Sequence, residues 1–169
     1  MFVLQTTAGL SKPDSYRELN QQLAGLLQDE RDGLANCANL AALFFQALPE
    51  LNWFGFYFLR GTELVLGPFQ GKVACVRIAL GRGVCGSAAA RREIVVVPDV
   101  HAFPGHIACD AASRSEIVLP LLHGGKLFGV LDLDSPREGR FDADDAEGLA
   151  EAVRLLLAHS DLSRLADSA

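Results

Sequence analysis

The chain has 169 residues, half of them apolar, which is enough to build one domain with a sizeable core and argues against disorder. Fifteen Lys and Arg residues against 21 Asp and Glu residues give a net charge of −6. This is the wrong sign for a phosphate-binding surface, and the basic residues do not cluster. We therefore expect residues 1–169 to form a single domain with no nucleic-acid partner.

The N-terminal third predicts two helices. The first fourteen residues lack the basic start and long apolar run of a signal peptide, so we expect a cytoplasmic protein. A helical pattern begins near Ser11 and Pro13 and runs to about residue 30, and a second runs from about residue 33 to 48, giving N-terminal helices over about 13–48. The apolar stretch 34–49 is interrupted by Asn and Gln and is too short to cross a bilayer, so we expect no membrane contact.

The middle of the chain, about 50–134, has the composition of a sheet. LNWFGFYFLR, ELVLGPF and KVACVRIAL are rich in aromatic and β-branched residues and predict three consecutive antiparallel strands. GRGVCGSAAARR predicts a glycine-rich turn and a short helix, and EIVVVPDV a fourth strand that ends at Pro98. Residues 99–114 have no clear period, and such a long loop is a common place for function.

The last third predicts a hairpin and a helix. SEIVLPLLH and GKLFGVLDLDS form the hairpin, and a C-terminal helix over about 143–162 has Asp142 as its N-cap. The order of elements predicts an α/β fold of the α+β kind, an antiparallel sheet of about six strands flanked by helices.

The four cysteines divide into one core residue and three candidates for chemistry. Cys37 lies among apolar residues at helical spacing and is predicted to be buried. Cys75, Cys85 and Cys109 lie on dissimilar elements with no CxxC spacing, so the usual structural zinc patterns are absent and no metal site is predicted, although His101 or His106 could in principle join one. A nucleophile with resolving thiols and ordinary burial both remain open for these three.

Cys109 has polar neighbours in GHIACDAASRSE. Asp110 is predicted to cap a short helical turn, which would stabilise a thiolate at its N-terminus. His106 could act as a base, which would also permit a cysteine hydrolase; a solvated loop histidine is the simpler alternative.

Carboxylates end the last predicted strand. Side chains alternate along FGVLDLDS, so Asp132 and Asp134 are predicted to share a face with Phe128 and Val130, about 6 to 7 Å apart. Glu116 begins the preceding strand and would join them if the register allows. Such a cluster suits an ammonium group, a metal or a general acid, whereas an exposed strand end would give it no function.

GRGVCG, residues 81–86, formally matches the dinucleotide-binding pattern GxGxxG. The helix that it opens is short, and the preceding strands are joined by hairpin-length connections and not by βαβ units. We therefore expect no dinucleotide cofactor.

Three blocks together resemble the free methionine-(R)-sulfoxide reductases, which are stand-alone GAF-domain enzymes: GPFQGKVACVRIALGRGVCGSA, HIACDAASRSEIVLPL and GVLDLDS. The resemblance covers about residues 50–150, with NWFGFY also fitting, and it implies a GAF-like fold. Phe54 stands where a small residue is expected, and RREIVVVPDV fits more loosely. These departures concern only the shape of the pocket near Trp53.

The resemblance implies roles for individual residues. Cys109 corresponds to the catalytic cysteine, Cys75 to the resolving one and Cys85 to an accessory one. Trp53 and Tyr57 match an aromatic wall of the substrate pocket. The remaining predicted substrate contacts are the acids Glu116, Asp132 and Asp134 and the backbone at Ile107, Ala108 and Asp110.

The implied reaction reduces free L-methionine (R)-S-oxide through a cysteine sulfenic acid and an intramolecular disulfide, recycled by thioredoxin. No bound cofactor or metal is expected, and a homodimer is left open. The alternative is a GAF small-molecule or redox sensor without turnover, which would need an output partner or an attached output domain; none is evident in the sequence.

Overall fold

A computed structural model of the protein describes residues 3–106 and 110–165. Its helices are α1 (Lys12–Leu27), α2 (Gly33–Ala47), α3 (Gly83–Arg91) and α4 (Ala143–His159), with 3₁₀ helices at Val100–Ala102 and Leu162–Arg164. Its strands are β1 (Trp53–Arg60), β2 (Glu63–Gly71), β3 (Arg77–Ala79), β4 (Val95–Val97), β5 (Ser115–His123) and β6 (Lys126–Ser135). No helix in this described part of the chain is both long and apolar enough to span a bilayer.

The strands form one antiparallel sheet in the order β3-β2-β1-β6-β5-β4. This confirms the predicted fold, a six-stranded antiparallel sheet with helices. Strands β1 and β6 are the central pair, so residues at their ends lie in the middle of the sheet and not at an edge.

Alternation along β1 divides the interior into two layers. Phe54, Phe56 and Phe58 face a core built mainly with α1, α2 and α4. Trp53 and Tyr57 point to the opposite face, where α3 packs in a smaller core. Because one face is filled by three helices, the face under α3 is where the polar side chains of the central strands converge.

Caps define where two of the helices begin. The Ser11 side chain accepts a hydrogen bond from the Asp14 N–H at the start of α1. Asp142 and Asp145 form a reciprocal capping box at the start of α4, as the sequence predicts for Asp142. These caps satisfy backbone N–H groups that the first turn of a helix leaves without partners.

The structure corrects two local predictions. KVACVRIAL contributes only the three residues of β3, and Cys75 lies in the preceding loop and not in a strand. Phe128 packs in the α1–α2–α4 core and not beside Val130. The reason is a bulge: Leu121 pairs with Gly129 and Leu122 with Leu127, which leaves Phe128 as an extra residue and reverses its side.

Candidate active site

Three carboxyl groups, here called the acid cluster, meet on the face under α3: Glu116, Asp132 and Asp134. Asp132 and Asp134 are two residues apart in β6, so they project from the same side. The register pairs Glu116 of β5 directly with Asp134, and Trp53 of β1 flanks Asp134 on the other side. The predicted juxtaposition of the three acids is therefore present.

Two members of the acid cluster are buried, and Asp134 is partly buried. Glu116 and Asp132 are each only 6% exposed. Burial raises the pKa of Asp132 to about 7. Burial, and then the charges of neighbouring carboxyl groups, raise the pKa values of Glu116 and Asp134 well above their usual range. At neutral pH the cluster therefore holds protons and can act as a general acid, or it can release the protons to solvent when a cation binds.

Cys85 faces this cluster from α3. Its Sγ lies 3.9 Å from Glu116 Oε1, in the geometry of a thiol donating to the carboxyl oxygen. Burial, together with the charges of Asp132 and Glu116, raises the pKa of Cys85. In this environment the thiolate is disfavoured, so Cys85 is poorly suited to be the first nucleophile. Its predicted accessory role stays a prediction.

The loop that carries Cys75 is fixed by the two aromatic residues predicted to line the pocket. Trp53 Nε1–H donates to the Lys72 carbonyl at 3.1 Å, and Tyr57 O–H donates to the Cys75 carbonyl at 3.0 Å. The two rings stack with centroids 5.8 Å apart. Cys75 is disulfide-bonded, and Cys37 and Cys85 are free thiols.

Gly55, which has no side chain, leaves room for the Trp53 ring. A β-carbon at residue 55 would lie 2.5 Å from Cη2 of Trp53 and 2.4 Å from Cβ of Phe69. Only glycine leaves that space open, so the indole can lie over the sheet next to its Phe69 stacking partner, 5.4 Å away. The aromatic wall thus depends on a residue that sequence patterns alone do not single out.

Asp110 caps a turn, though not a helical one. Its Oδ1 accepts from the Ala112 N–H at 3.0 Å, and residues 111–112 form a turn that no helix follows. That backbone hydrogen bond, followed by one from Lys72, lowers the pKa of Asp110. The ionised carboxylate also lies 3.1 Å from Lys72 Nζ, which joins this turn to the Cys75 loop.

The predicted nucleophile Cys109, with Ile107 and Ala108, lies outside the described residues. The flanking residues lie at the pocket: its lining includes His106 and Asp110, along with Tyr57, Cys85 and the acid cluster. His106 Nε2 is 3.7 Å from Glu116 Oε2. Burial, and to a smaller extent His101, lowers the pKa of His106 and favours its neutral form.

Two further polar residues in this region were not predicted. Asn52 donates from Nδ2 to Ser113 Oγ at 3.0 Å and to Asp110 Oδ2 at 3.3 Å. Asn52 precedes β1 and Ser113 precedes β5, so only the strand register brings them together. The only sequence signal for Asn52 is its place just before an aromatic strand, which is too common to identify a site.

Comparison with known proteins identifies the family. A GAF-domain family model matches residues 18–159. A free methionine-R-sulfoxide reductase from Escherichia coli K12 is 52% identical over 147 residues, which cover 87% of this chain and 89% of that protein. The chain belongs to the free methionine-(R)-sulfoxide reductase family of GAF-domain proteins. The family resemblance drawn from the sequence is thereby confirmed, and with it the prediction of an enzyme.

Two other members of the free methionine-(R)-sulfoxide reductase family extend this finding. The free methionine-R-sulfoxide reductase of Saccharomyces cerevisiae is 40% identical over 158 residues, covering 89% of this chain and 88% of that protein. The X-ray structure of the Neisseria meningitidis enzyme in complex with its substrate is 46% identical and superposes with a TM-score of 0.92, covering 97% of this chain and 98% of that one.

Proposed function

We propose that the protein reduces free L-methionine (R)-S-oxide to methionine. The observation that carries this proposal is the acid cluster, two buried carboxyl groups and a partly buried one on one sheet face beside the Cys75 loop. The family relationship supports the activity, and the cluster supports the choice of a free amino acid as substrate.

Glu116, Asp132 and Asp134 are the proposed partners of the substrate's α-ammonium group. Among the described residues, no lysine or arginine forms an ion pair with any of the three. A cation entering the pocket therefore meets carboxyl groups that are not already paired with a lysine or arginine. A methionine sulfoxide within a peptide has no α-ammonium group and would leave these buried groups unpaired, which explains the preference.

Cys109 is the proposed nucleophile. Its thiolate attacks the sulfoxide sulfur, and an acid of the cluster, directly or through water, protonates the departing oxygen. The substrate's S–O bond and the S–S bond of the adduct break, and the oxygen passes to the Cys109 sulfur. Methionine leaves, its sulfur having gained two electrons, and Cys109 becomes a sulfenic acid, its own sulfur having lost two. The raised pKa values of the cluster keep a proton available for this step near neutral pH.

Cys75 is the proposed resolving cysteine. Its thiol attacks the sulfenic sulfur of Cys109, a disulfide forms and water leaves. A thioredoxin-like dithiol then reduces this disulfide, so the cycle needs no bound cofactor. The disulfide-bonded state of Cys75 supports the proposal, as do the hydrogen bonds from Trp53 and Tyr57 that fix its loop beside the pocket.

The experiment incubates the reduced protein with each epimer of free methionine sulfoxide and with a dithiol, and measures methionine by chromatography. Methionine should form from the R epimer, and Cys109→Ser should abolish its formation even in a single turnover. Cys75→Ser should retain one turnover and lose recycling by thioredoxin. Binding of the sulfoxide without any methionine would refute the reductase and favour a sensor, and an unchanged steady-state rate in Cys75→Ser would refute its resolving role.

A further inference from the structure

Cys85 and two members of the acid cluster form a compact set of metal-ligand atoms. Cys85 Sγ, one carboxylate oxygen of Glu116 and one of Asp132 all lie within 4.8 Å of one another, and all three residues are buried. They come from α3, β5 and β6, with 30 and then 15 residues between them. No short ligand-spacing motif could have revealed them.

The separations fit a small divalent ion. Zinc bonds to thiolate sulfur at about 2.3 Å and to carboxylate oxygen at about 2.0 to 2.2 Å, so neighbouring ligand atoms of a tetrahedral site lie about 3.4 to 3.6 Å apart. The distance from Cys85 Sγ to Glu116 Oε1 is 3.9 Å. All separations in the set are within 4.8 Å, so side-chain shifts of about 1 Å would close such a site around an ion.

His106 lies at the edge of this set, outside the group of mutually close ligand atoms. Its Nε2 lies 3.7 Å from Glu116 Oε2, and the side chain belongs to the lining of the same pocket. Thiolate sulfur with two carboxylate oxygens is a donor set of borderline softness, and the sulfur favours zinc-like ions over magnesium or calcium.

Asp132 supplies an independent indication that a cation can bind here. Its Oδ1 is buried and has no hydrogen-bond partner among the described residues, although the residue is only 6% exposed. A buried carboxylate oxygen without a donor costs free energy, so an occupant that completes it is favoured. An ammonium group could donate a hydrogen bond to this oxygen, but it would not be coordinated by the neighbouring sulfur of Cys85, as a metal ion would be.

We propose that Cys85, Glu116 and Asp132 form an inhibitory binding site for a divalent transition-metal ion of the zinc type, with the fourth position open to solvent. The ion takes the Cys85 thiol as thiolate and the Glu116 and Asp132 carboxyl groups as carboxylates, and the protons they carried pass to solvent with no change of oxidation state. It occupies the carboxylates that bind the substrate's ammonium group, so metal and substrate exclude each other. This last consequence rests on the proposed function, whereas the binding itself does not.

Cobalt(II) is the probe, because a cobalt–thiolate bond gives a charge-transfer band in the near ultraviolet and a tetrahedral site gives intense visible bands. The full chain is used with the Cys75 disulfide intact, so that Cys85 and the core residue Cys37 are the free thiols of its described part. Both sets of bands should develop on titration and be displaced by zinc, but not by magnesium or calcium. Cys85→Ser should lose the charge-transfer band, and Cys37→Ser should retain it.

Asp132→Asn provides a second variant, with folding checked by circular dichroism, and should weaken cobalt binding on the order of tenfold or more. A charge-transfer band that persists in Cys85→Ser, or cobalt affinity that is unchanged in Asp132→Asn, would overturn the proposal. In the methionine assay, zinc should raise the KM for the sulfoxide and a chelator should reverse this. A protein that binds cobalt but forms no methionine would refute the proposed function and leave the metal site standing.

Discussion

Asp132→Asn tests how much the ionisation of the acid cluster lowers the free energy of unfolding. Burial raises the pKa of Asp132 from 3.8 to about 7. A carboxyl group whose pKa is raised on folding binds its proton more tightly in the folded chain than in the unfolded one. Its stabilising contribution is therefore fully present below about pH 4 and is lost as the pH rises through 7.

The size of this loss follows from the shift. About three pKa units at about 1.36 kcal/mol per unit correspond to about 4 kcal/mol over the whole range. About 2 to 3 kcal/mol of this falls between pH 5 and pH 8, because part of the change is complete at pH 5. The neutral amide that replaces the carboxyl group in Asp132→Asn does not titrate in this range. The charge of Asp132 also helps to raise the pKa of Glu116, so removing it lowers that pKa. Both effects make the stability of the variant less sensitive to pH.

The assay is urea unfolding at pH 5, 6, 7 and 8 with the Cys75 disulfide intact, on the wild type, Asp132→Asn and the control Asp29→Asn. Asp29 is exposed, so its replacement removes the same charge without touching a buried group. The wild type and the control should lose about 2 to 3 kcal/mol more of their unfolding free energy from pH 5 to pH 8 than Asp132→Asn does. Equal losses in all three proteins would refute the reasoning.

Two further predictions concern the helical side of the sheet. Asp145 is fully buried and accepts hydrogen bonds from Arg140 at 2.9 Å and Tyr16 at 2.8 Å, so Asp145→Asn should leave a buried guanidinium without its counter-charge and lower the unfolding free energy by about 3 to 5 kcal/mol. A loss below about 1 kcal/mol in urea would show that the ion pair contributes little. Gly148→Ala would place a β-carbon 2.1 Å from Cγ of Tyr16 and should cost about 1 to 3 kcal/mol. Gly25→Ala, in α1 with no atom within 4 Å of its new β-carbon, should instead add about 0.5 to 1 kcal/mol, and equal melting temperatures for the two variants would contradict the packing argument.

Local chemistry predicts those elements whose signals are local. In β1, aromatic residues alternate between the two faces of the strand, as its sequence indicates. Asp142 caps α4, as its position before an acidic first turn indicates. KVACVRIAL shows the limit of such reasoning. Its β-branched residues favour extended backbone, but only Arg77–Ala79 pair with β2, because propensity does not report whether a partner strand extends far enough to be reached.

In the candidate site, too, the features set by local sequence were predictable and those set by strand register were not. Asp132 and Asp134 share a face because alternation within one strand places them there. Their meeting with Glu116 depends on the register between β5 and β6, which the sequence left open. The bulge that turns Phe128 to the other core also lies in this hairpin, where Gly129 has a φ of +153° and no room for a β-carbon beside the Tyr57 carbonyl. A single glycine in an apolar strand signals that a bulge can occur but not which side chain it reverses.

The cost of the acid cluster and its proposed use have one cause. Desolvation makes each carboxylate of the cluster unfavourable when charged, and the same desolvation strengthens its attraction to a cation that replaces the lost water. In the proposed reaction the substrate's ammonium group is such a cation, so its binding should stabilise the folded protein more at pH 8 than at pH 5. In this proposal, the stability that Glu116, Asp132 and Asp134 lose on ionisation is recovered when a positively charged ligand binds, which would make the pocket selective for a free amino acid.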